Sequence, residues 1–264
     1  MQEIETADCT EDPTMVMDKR DGHLYGIARL KDGKCWMVQN LRLGDSLADV
    51  NGSMTLTSAD SNVNSDFVLT NKVVPPGVMP NTQISDSKAY KGESGVWDGQ
   101  AFYCTDDYGC YYNWYTATAG LGKQETTSGD VTDSICPSGW LLPSGNESGD
   151  FTVLANAYGF GVDDNDTVSA RLLVDPQTIT QNINGVFLPG ILKGGQYSGA
   201  GTTTCSLSGG ACGINVFGSY WSRTAFSTSL AYNFIIRSTA PIPASHDNNG
   251  KSDARSIRCL LKES

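Results

Sequence analysis

The side chains best suited to contacting another molecule lie in the last fifty residues of the chain. In this segment an apolar set alternates with Tyr, Ser, Arg, Asn and His, the residue types that dominate adaptable binding surfaces. The apolar set consists of Trp221, Ala231, Phe234, Ile236, Ile257 and Leu260. The predicted contact residues are Ser219, Tyr220, Arg223, Thr224, Phe226, Ser227, Tyr232, Asn233, Arg237, Ser238, His246, Asp247 and Asn248. Such alternation predicts strands that pack one face into the core and present the other to a ligand.

One acidic stretch has the side chains that a calcium ion prefers. Asp163, Asp164 and Asp166 flank Asn165, and carboxylate and amide oxygens are the usual ligands of Ca²⁺. The stretch lacks the sixth-position glycine and the twelfth-position glutamate of an EF-hand loop. An acidic turn beside a helix explains the same residues without a metal. We therefore expect no cofactor and keep calcium as the alternative.

The chain has no recognisable catalytic motif. It contains two histidines, His23 in a predicted turn and His246 in a polar loop. A Ser-His-Asp order and a Gly-x-Ser-x-Gly elbow, which mark common hydrolases, are both missing from the sequence. We therefore predict that the protein is not an enzyme.

The eight cysteines are an even set in a loop-rich chain, which predicts disulfides and an oxidising compartment. Two pairs are close in sequence and would each close a short loop that contains glycine. The predicted pairs are Cys104–Cys110 and Cys205–Cys212 by proximity, and Cys9–Cys35 and Cys136–Cys259 by elimination. Zinc is the alternative, but zinc sites usually have Cys-x₂₋₄-Cys spacing, whereas these close pairs are six and seven residues apart.

Charge and composition limit the classes of partner. The net charge is −11, with 18 Lys and Arg residues scattered along 264 positions. Phosphate binding needs basic residues concentrated on one face, so nucleic acid is not an expected partner. The sequence has no apolar run of about 18 residues, so it predicts no membrane span. The first residues, Met-Gln-Glu-Ile-Glu, do not form a signal peptide. We expect a mature domain located outside the cell or on its surface.

The elements that hold these residues can be predicted in part. Met15–Leu30 alternates on both sides of a turn at Lys19–Gly22, which predicts a hairpin. Cys35–Leu41 follows an Asp-Gly turn as a buried strand, so the chain begins as a three-stranded meander. Ser148–Tyr158 predicts a helix, and Val168–Leu173 predicts a second, shorter one.

Composition and the order of the predicted elements indicate the domain organisation. Residues 44–100 are rich in Ser, Asn, Asp and Thr and predict a long insertion with few apolar anchors and short structured pieces. Strands at both ends with short helices and long loops between them predict an α+β fold. No linker divides the chain, so 1–264 is predicted as one domain, closed by pairing between its two ends.

Six short motifs, taken in order, resemble a known family. They are Asp18-Lys19-Arg20-Asp21-Gly22 with Tyr25, Cys35-Trp36-Met37-x-Gln39-Asn40-Leu41, Tyr112-Asn113-Trp114, Cys136-Pro137-x-Gly139-Trp140-x-Leu142-Pro143, Trp221-Ser222 and Arg258-Cys259. Their order is similar to that of the Fibrobacter succinogenes major paralogous domain, a bacterial C-type-lectin-like fold related in architecture to formylglycine-generating enzymes. The resemblance covers most of the chain apart from residues 44–100. It implies that Trp36, Trp114, Trp140 and Trp221 are core residues rather than sugar platforms.

The same fold is used by the target proteins of diversity-generating retroelements, in which adenine-directed mutagenesis rewrites selected codons of a C-terminal segment. The resemblance therefore implies that residues 215–259 are a variable region for binding proteins or cell-surface structures. Two alternatives remain, a calcium-dependent carbohydrate lectin and a relative of the formylglycine-generating enzymes. The sequence lacks the lectin motifs Glu-Pro-Asn, Gln-Pro-Asp and Trp-Asn-Asp. It also has only Cys259 near its end, where those enzymes have a reactive pair.

Overall fold

The structure is a computed structural model, and it describes the chain in eleven pieces. These are residues 9–44, 52–70, 102–105, 109–123, 126–157, 196–197, 211–212, 217–237, 241–242, 248–251 and 253–263. The strands are β1 (Thr14–Met17), β2 (Leu24–Arg29), β3 (Cys35–Met37), β4 (Ser53–Leu56), β5 (Phe67–Thr70), β6 (Phe102–Thr105), β7 (Gly109–Tyr112), β8 (Gly129–Asp130), β9 (Trp140–Leu141), β10 (Gln196–Tyr197), β11 (Ala211–Cys212), β12 (Phe217–Ala225), β13 (Leu230–Arg237), β14 (Pro241–Ile242), β15 (Asn248–Gly250) and β16 (Leu260–Leu261). The helices are α1 (Trp114–Ala117) and α2 (Asp150–Ala157).

The N-terminal meander is confirmed. β1 and β2 pair antiparallel, and β2 pairs antiparallel with β3. The first turn is closed by a hydrogen bond from the amide of Asp18 to the carbonyl of His23, at 2.8 Å. Gly22 and Gly33 have φ of 78° and 80°, a left-handed conformation that glycine adopts without steric cost. The two Gly-containing turns therefore set the positions at which the chain reverses.

The predicted pairing between the two ends of the chain is also confirmed. The first sheet has the order β1-β2-β3-β16-β9, so the C-terminal strand lies between an early strand and a middle one. Leu260 is opposite Trp36 on one side and opposite Leu141 on the other. The amide of Met37 donates to the carbonyl of Cys259 at 2.9 Å. This pairing closes the domain.

The second sheet carries the C-terminal hairpin. Its order is β14-β13-β12-β8, and β15 also pairs with β13. Helix α2 connects the two sheets through aromatic contacts. Its Phe151 lies 5.6 Å from Trp36 of the first sheet and stacks on Phe234 of the second sheet at 5.0 Å, measured between ring centroids. The described part of the fold thus has two five-stranded antiparallel sheets, three two-stranded antiparallel ribbons (β4–β5, β6–β7 and β10–β11) and two short helices, which agrees with the α+β class.

The tryptophan prediction is confirmed as well. Trp36, Trp114, Trp140 and Trp221 are all buried, with at most 1% of each residue exposed. Aromatic residues bury more apolar area than other side chains, so these four contribute a large part of the core.

The described part of the predicted insertion belongs to the same core. Leu56, Val63 and Leu69 are buried and pack in the hydrophobic cluster that also contains Trp114, Trp140 and Trp221. The guanidinium of Arg20 joins this region to the rest, because it donates to Ser61 Oγ at 3.0 Å and to the carbonyl of Ile135 at 2.9 Å. The hairpin β4–β5 is thus one structured piece of the polar stretch 44–100, and it packs into the core.

Three of the four predicted disulfides are formed. They are Cys9–Cys35, Cys104–Cys110 and Cys136–Cys259. The predicted Cys205–Cys212 pair cannot be followed, because Cys205 lies outside the described residues. The helix predicted at 168–173 lies entirely outside them. Cys136–Cys259 connects positions 123 residues apart and fastens the C-terminal strand to the middle of the chain.

We predict that loss of the long-range disulfide is the most damaging of the disulfide deletions. A cross-link that closes a longer loop removes more entropy from the unfolded chain. The Cys136→Ala/Cys259→Ala variant should lose about 4–5 kcal/mol of unfolding free energy. The matched Cys9→Ala/Cys35→Ala variant, which opens a loop of 26 residues, should lose about 3–4 kcal/mol. Urea unfolding of both variants measures this order, and the reverse order would contradict it.

Candidate functional site

The C-terminal hairpin, β12–β13, has an irregularity at its centre. Pairing runs regularly from Phe217 opposite Arg237 to Trp221 opposite Asn233, and then resumes at Ala225 opposite Ala231. Three residues of β12 are thus matched by the single residue Tyr232 of β13, so β12 has a bulge over residues 222–224. A bulge of this kind frees backbone and side-chain groups from the ladder and re-aims the side chains around it.

The groups freed by the bulge are bonded to the neighbouring segment 143–145. The amide of Arg223 donates to the carbonyl of Pro143 at 2.9 Å, and the amide of Gly145 donates to Thr224 Oγ1 at 2.9 Å. The hydroxyl of Ser222 donates to the carbonyl of Tyr232 at 2.8 Å and bridges the strands where the ladder is interrupted. These three hydrogen bonds fix the shape of the bulge.

Only glycine fits at position 145, where segment 143–145 lies close to the bulge. A Cβ added at Gly145 would lie 2.6 Å from Ser222 Cβ and 2.8 Å from Tyr232 Cβ, well inside van der Waals contact. The segment itself is fastened by Asp150 at the start of α2, whose carboxylate accepts from the amide and the hydroxyl of Ser144. Burial alone would raise the pKa of Asp150, but its bonds to Lys34 and Ser144 lower the pKa below the usual value. The carboxylate therefore stays charged and holds the segment in place.

Two tryptophans fix the base of the hairpin from inside the core. The indole of Trp221 donates to the carbonyl of Tyr112 at 2.7 Å. The indole of Trp114 donates to the carbonyl of Ser222 at 2.7 Å. Trp114 begins α1, and Asn113 caps this helix by accepting from the amide of Thr116 at 3.0 Å. The two hydrogen bonds run in opposite directions between β12 and the β7–α1 segment, so neither can shift without the other.

The C-terminal segment bonds to the edge of β12 that lies opposite β13. The amide of Trp221 donates to the carbonyl of Ser256 at 3.1 Å, and the amide of Ser256 donates to the carbonyl of Ser219 at 3.2 Å. The guanidinium of Arg258 lies over the ring of Tyr220, 5.3 Å from its centroid. Burial raises the pKa of Tyr220, and the nearby Arg258 opposes that rise. The tyrosine ring is thus enclosed between the strand and a buried cation.

These contacts correct the contact-face prediction for four residues. Ser219, Tyr220, Thr224 and Asn233 are buried, with at most 2% of each residue exposed. The predicted alternation is real, but Ser219–Ser222 are all buried, so both faces of β12 are covered. Arg255 lies over Trp221 on one face, and Arg258 lies over Tyr220 on the other. These four side chains belong to the scaffold and do not face a ligand.

The exposed predicted residues gather at the end of the hairpin. Arg223, Ser227 and Tyr232 are partly exposed, and Phe226 is 45% exposed. We use the name hairpin patch for these four residues together with the exposed residues 228–229. The ring of Phe226 meets that of Tyr232 edge to face, with centroids 5.3 Å apart and planes at 83°. An exposed aromatic pair is therefore the most prominent feature of the patch.

Hydrogen bonds at the tip hold the aromatic pair in position. The amides of Phe226 and Ser227 both donate to the carbonyl of Leu230 at 3.0 Å. The hydroxyl of Ser227 accepts from the amide of Leu230 at 3.2 Å. At the rim, the guanidinium of Arg223 forms an ion pair with Asp130 at 2.9 Å. The patch combines two aromatic rings, hydroxyls and a salt-bridged arginine, which together suit contact with a mixed apolar and polar surface.

Lys251 supports the hairpin in a way that the sequence did not indicate. Its amide donates to the carbonyl of Ser229 at 2.9 Å, next to the tip. Its buried ammonium lies 4.5 Å from the centroid of Trp114 and donates to the carbonyls of Thr126 and Lys123 at 2.7 and 3.2 Å. Burial lowers the pKa of Lys251 to about 8. Its partners are backbone oxygens and a ring from distant segments, and the local sequence does not indicate such partners.

The remaining predicted residues cannot be assigned to the patch by their side chains. Arg237 lies in β13 opposite Phe217, and Asn248 lies in β15 opposite Tyr232. Ser238, His246 and Asp247 lie outside the described residues. The calcium candidates Asp163, Asp164 and Asp166 lie outside them too. Within the described ranges, no group of three or more His, Cys, Asp or Glu residues could hold a metal ion.

Comparisons with known proteins leave the function to be inferred from the chain itself. No protein-family model, curated protein or solved structure matches this chain. Among the helices that the structure describes, none is both long enough and apolar enough to cross a membrane.

We predict opposite behaviour for two tyrosines of the hairpin. Tyr220 is enclosed, so Tyr220→Ala should lower the unfolding free energy by about 3–5 kcal/mol, the range for loss of a buried aromatic side chain. Tyr232 is partly exposed, so Tyr232→Ala should cost only about 1 kcal/mol. Denaturant unfolding of the two variants measures the difference. Equal losses would show that Tyr220 is not part of the scaffold.

Proposed function

We propose that this protein binds a protein or a cell-surface structure outside the cell, and that the hairpin patch contacts the ligand. The observation that carries the proposal is the exposed pair of Phe226 and Tyr232 at the end of a hairpin whose base is buried on both faces. Aromatic side chains supply a large share of the energy at binding hot spots. Exposure of such a pair in water is unfavourable unless a ligand covers it.

The rigid base of the hairpin favours binding. Association costs less entropy when the contacting residues are already fixed in the bound arrangement. Here the indole of Trp114, the backbone of Pro143 and the amide of Lys251 hold the hairpin at three separate points. The patch is therefore prearranged, and the hydroxyls of Ser227 and its exposed neighbours can adapt to different polar groups.

Charge and cysteine use support the proposed compartment and class of ligand. A net charge of −11 disfavours nucleic acid and favours a neutral or basic protein surface. The three disulfides of the described residues are typical of proteins in oxidising surroundings outside the cytosol.

The fold and the origin of the binding segment are part of the proposal. We infer that the chain has the C-type-lectin-like fold that its motifs resemble, and that a retroelement diversifies its C-terminal segment. The burial of Trp36, Trp114, Trp140 and Trp221 supports the first inference, because the resemblance implies core positions for all four. The burial of β12 limits the proposed diversification to the exposed tip of the hairpin, because only residues there can change without cost to the scaffold.

We predict that removal of the aromatic pair abolishes binding. The Phe226→Ser/Tyr232→Ser variant should bind at least about 30-fold more weakly than the native protein, as expected for loss of a hot spot. The measurement is binding of labelled protein to a panel of extracellular proteins, glycans and intact cells, followed by titration of each positive. Val68→Ser is the matched control, because Val68 is an apolar residue of β5 with the same 45% exposure. Unchanged binding by the double variant would show that the hairpin patch does not contact the ligand.

We predict a defined pattern of variation at this locus. Among isolates that carry the gene, substitutions should concentrate at Arg223, Phe226, Ser227 and Tyr232. The buried residues Ser219, Tyr220, Thr224 and Asn233 should stay constant, because changes there destabilise the scaffold. Sequencing of the gene and its neighbourhood checks this pattern together with the expected reverse transcriptase and template repeat. A neighbourhood without a template repeat would contradict the diversification, but it would leave ligand binding by the patch in place.

A further inference from the structure

Among the described residues, the first sheet ends in β1, whose outer edge pairs with no strand. The amide of Asp18 donates to the carbonyl of His23, so the backbone groups of Asp18 point towards β2. The backbone groups of Val16, two residues earlier, point the same way. Successive residues of a strand direct these groups to opposite sides. The amides and carbonyls of Met15 and Met17 therefore point away from the sheet.

The same two residues carry exposed apolar side chains. Met15 is 52% exposed, Met17 is 42% exposed, and Leu24, which lies opposite Met17 in the register, is 58% exposed. Val16 points to the other face and is buried. An exposed row of apolar side chains beside an unused strand edge is a surface that favours pairing with another strand.

We propose that β1 is the interface of a symmetric dimer of this chain. The two β1 strands pair antiparallel with Val16 opposite the partner's Val16, and they join two five-stranded sheets into one. In this register Met15 exchanges two hydrogen bonds with the partner's Met17, and Met17 exchanges two with the partner's Met15. All four outward backbone groups of each strand are then used.

The sequence of β1 favours the register centred on Val16 over the register centred on Met15. If the pair were centred on Met15, Met17 would lie opposite the partner's Pro13, which has no amide hydrogen to donate. Centring on Val16 avoids the proline. It also places Met15, Met17 and Leu24 of both copies on one continuous face, because directly opposed residues of a sheet share a face.

Charges at the two ends of β1 complement each other across the proposed interface. The exposed residues Glu11 and Asp12 precede the strand. In the turn that follows it, Arg20 is bound to Asp18 at 2.6 Å, and Lys19 is exposed. Antiparallel pairing brings the acidic end of one copy beside Lys19 of the partner subunit, twice in each dimer. Opposite charges at such positions fix the register and disfavour a shifted pair.

The dimer is expected to be weak. Four residues of strand and three apolar side chains per copy bury less than the roughly 1,200 Å² at which stable interfaces begin. The inference does not depend on the proposed function, because the hairpin patch lies on the other sheet.

The test combines association and amide protection in the intact protein. Sedimentation velocity over a concentration series should show a monomer that becomes a dimer as concentration rises. Hydrogen exchange followed by NMR should show the amides of Met15 and Met17 gaining protection over the same range. The amide of Val16, already bonded within the sheet, should change little. A protein that is monomeric at every concentration overturns the proposal, as does a dimer with these two amides unprotected.

Variants separate this interface from other routes to association. Met17→Lys places a charge in the shared apolar face and should weaken the dimer at least about tenfold, or roughly 1.4 kcal/mol. Val68→Lys is the control, because Val68 has similar exposure on another hairpin. Lys19→Glu should also weaken the dimer, and addition of Asp12→Lys to that variant should restore it. Dimerisation that resists Met17→Lys, or is lost instead with Phe226→Ser, contradicts pairing through β1.

Discussion

Two hydrogen bonds between indoles and backbone carbonyls hold the C-terminal hairpin to the centre of the protein. Trp221 of the hairpin reaches Tyr112, and Trp114 of the central segment reaches Ser222 of the hairpin. Both donors are fully buried, where an unsatisfied indole or carbonyl would be costly. Any large movement of β12 would break both bonds at once and open the core. The base of the hairpin is therefore part of the core.

A rigid base changes how the exposed tip can function. The bulge over residues 222–224 is closed by Pro143 and Gly145, and the tip is fastened through Ser229 to Lys251. Side chains beyond the bulge can then differ without altering the backbone that carries them, since their own contacts contribute little to the scaffold. Such a separation between a fixed support and replaceable contact residues is what a binding protein with varied ligands requires.

Several features of the fold were predictable because they depend on short stretches of sequence. The six-residue spacing of Cys104 and Cys110 and the Asp-Gly turn before Cys35 both describe local geometry, and both are found in the structure. The place of β4 and β5 could not be predicted in the same way, because the sequence of residues 44–100 indicates short structured pieces without showing what they pack against. Apolar anchors such as Leu56 and Leu69 are few and far apart there, so their burial depends on contacts with distant segments.

The sequence by itself determined the alternation of β12, the cysteine pairs of the described residues and the burial of the tryptophans. It could not determine that both sides of β12 are covered. Alternation only states that a strand has two faces, whereas the exposure of a face depends on what packs against it. Here residues 253–258, some thirty-five positions further along the chain, cover Ser219 and Tyr220 and leave Phe226 and Tyr232 at the surface. Only the tertiary structure decides this, because burial depends on contacts between segments that are distant in sequence.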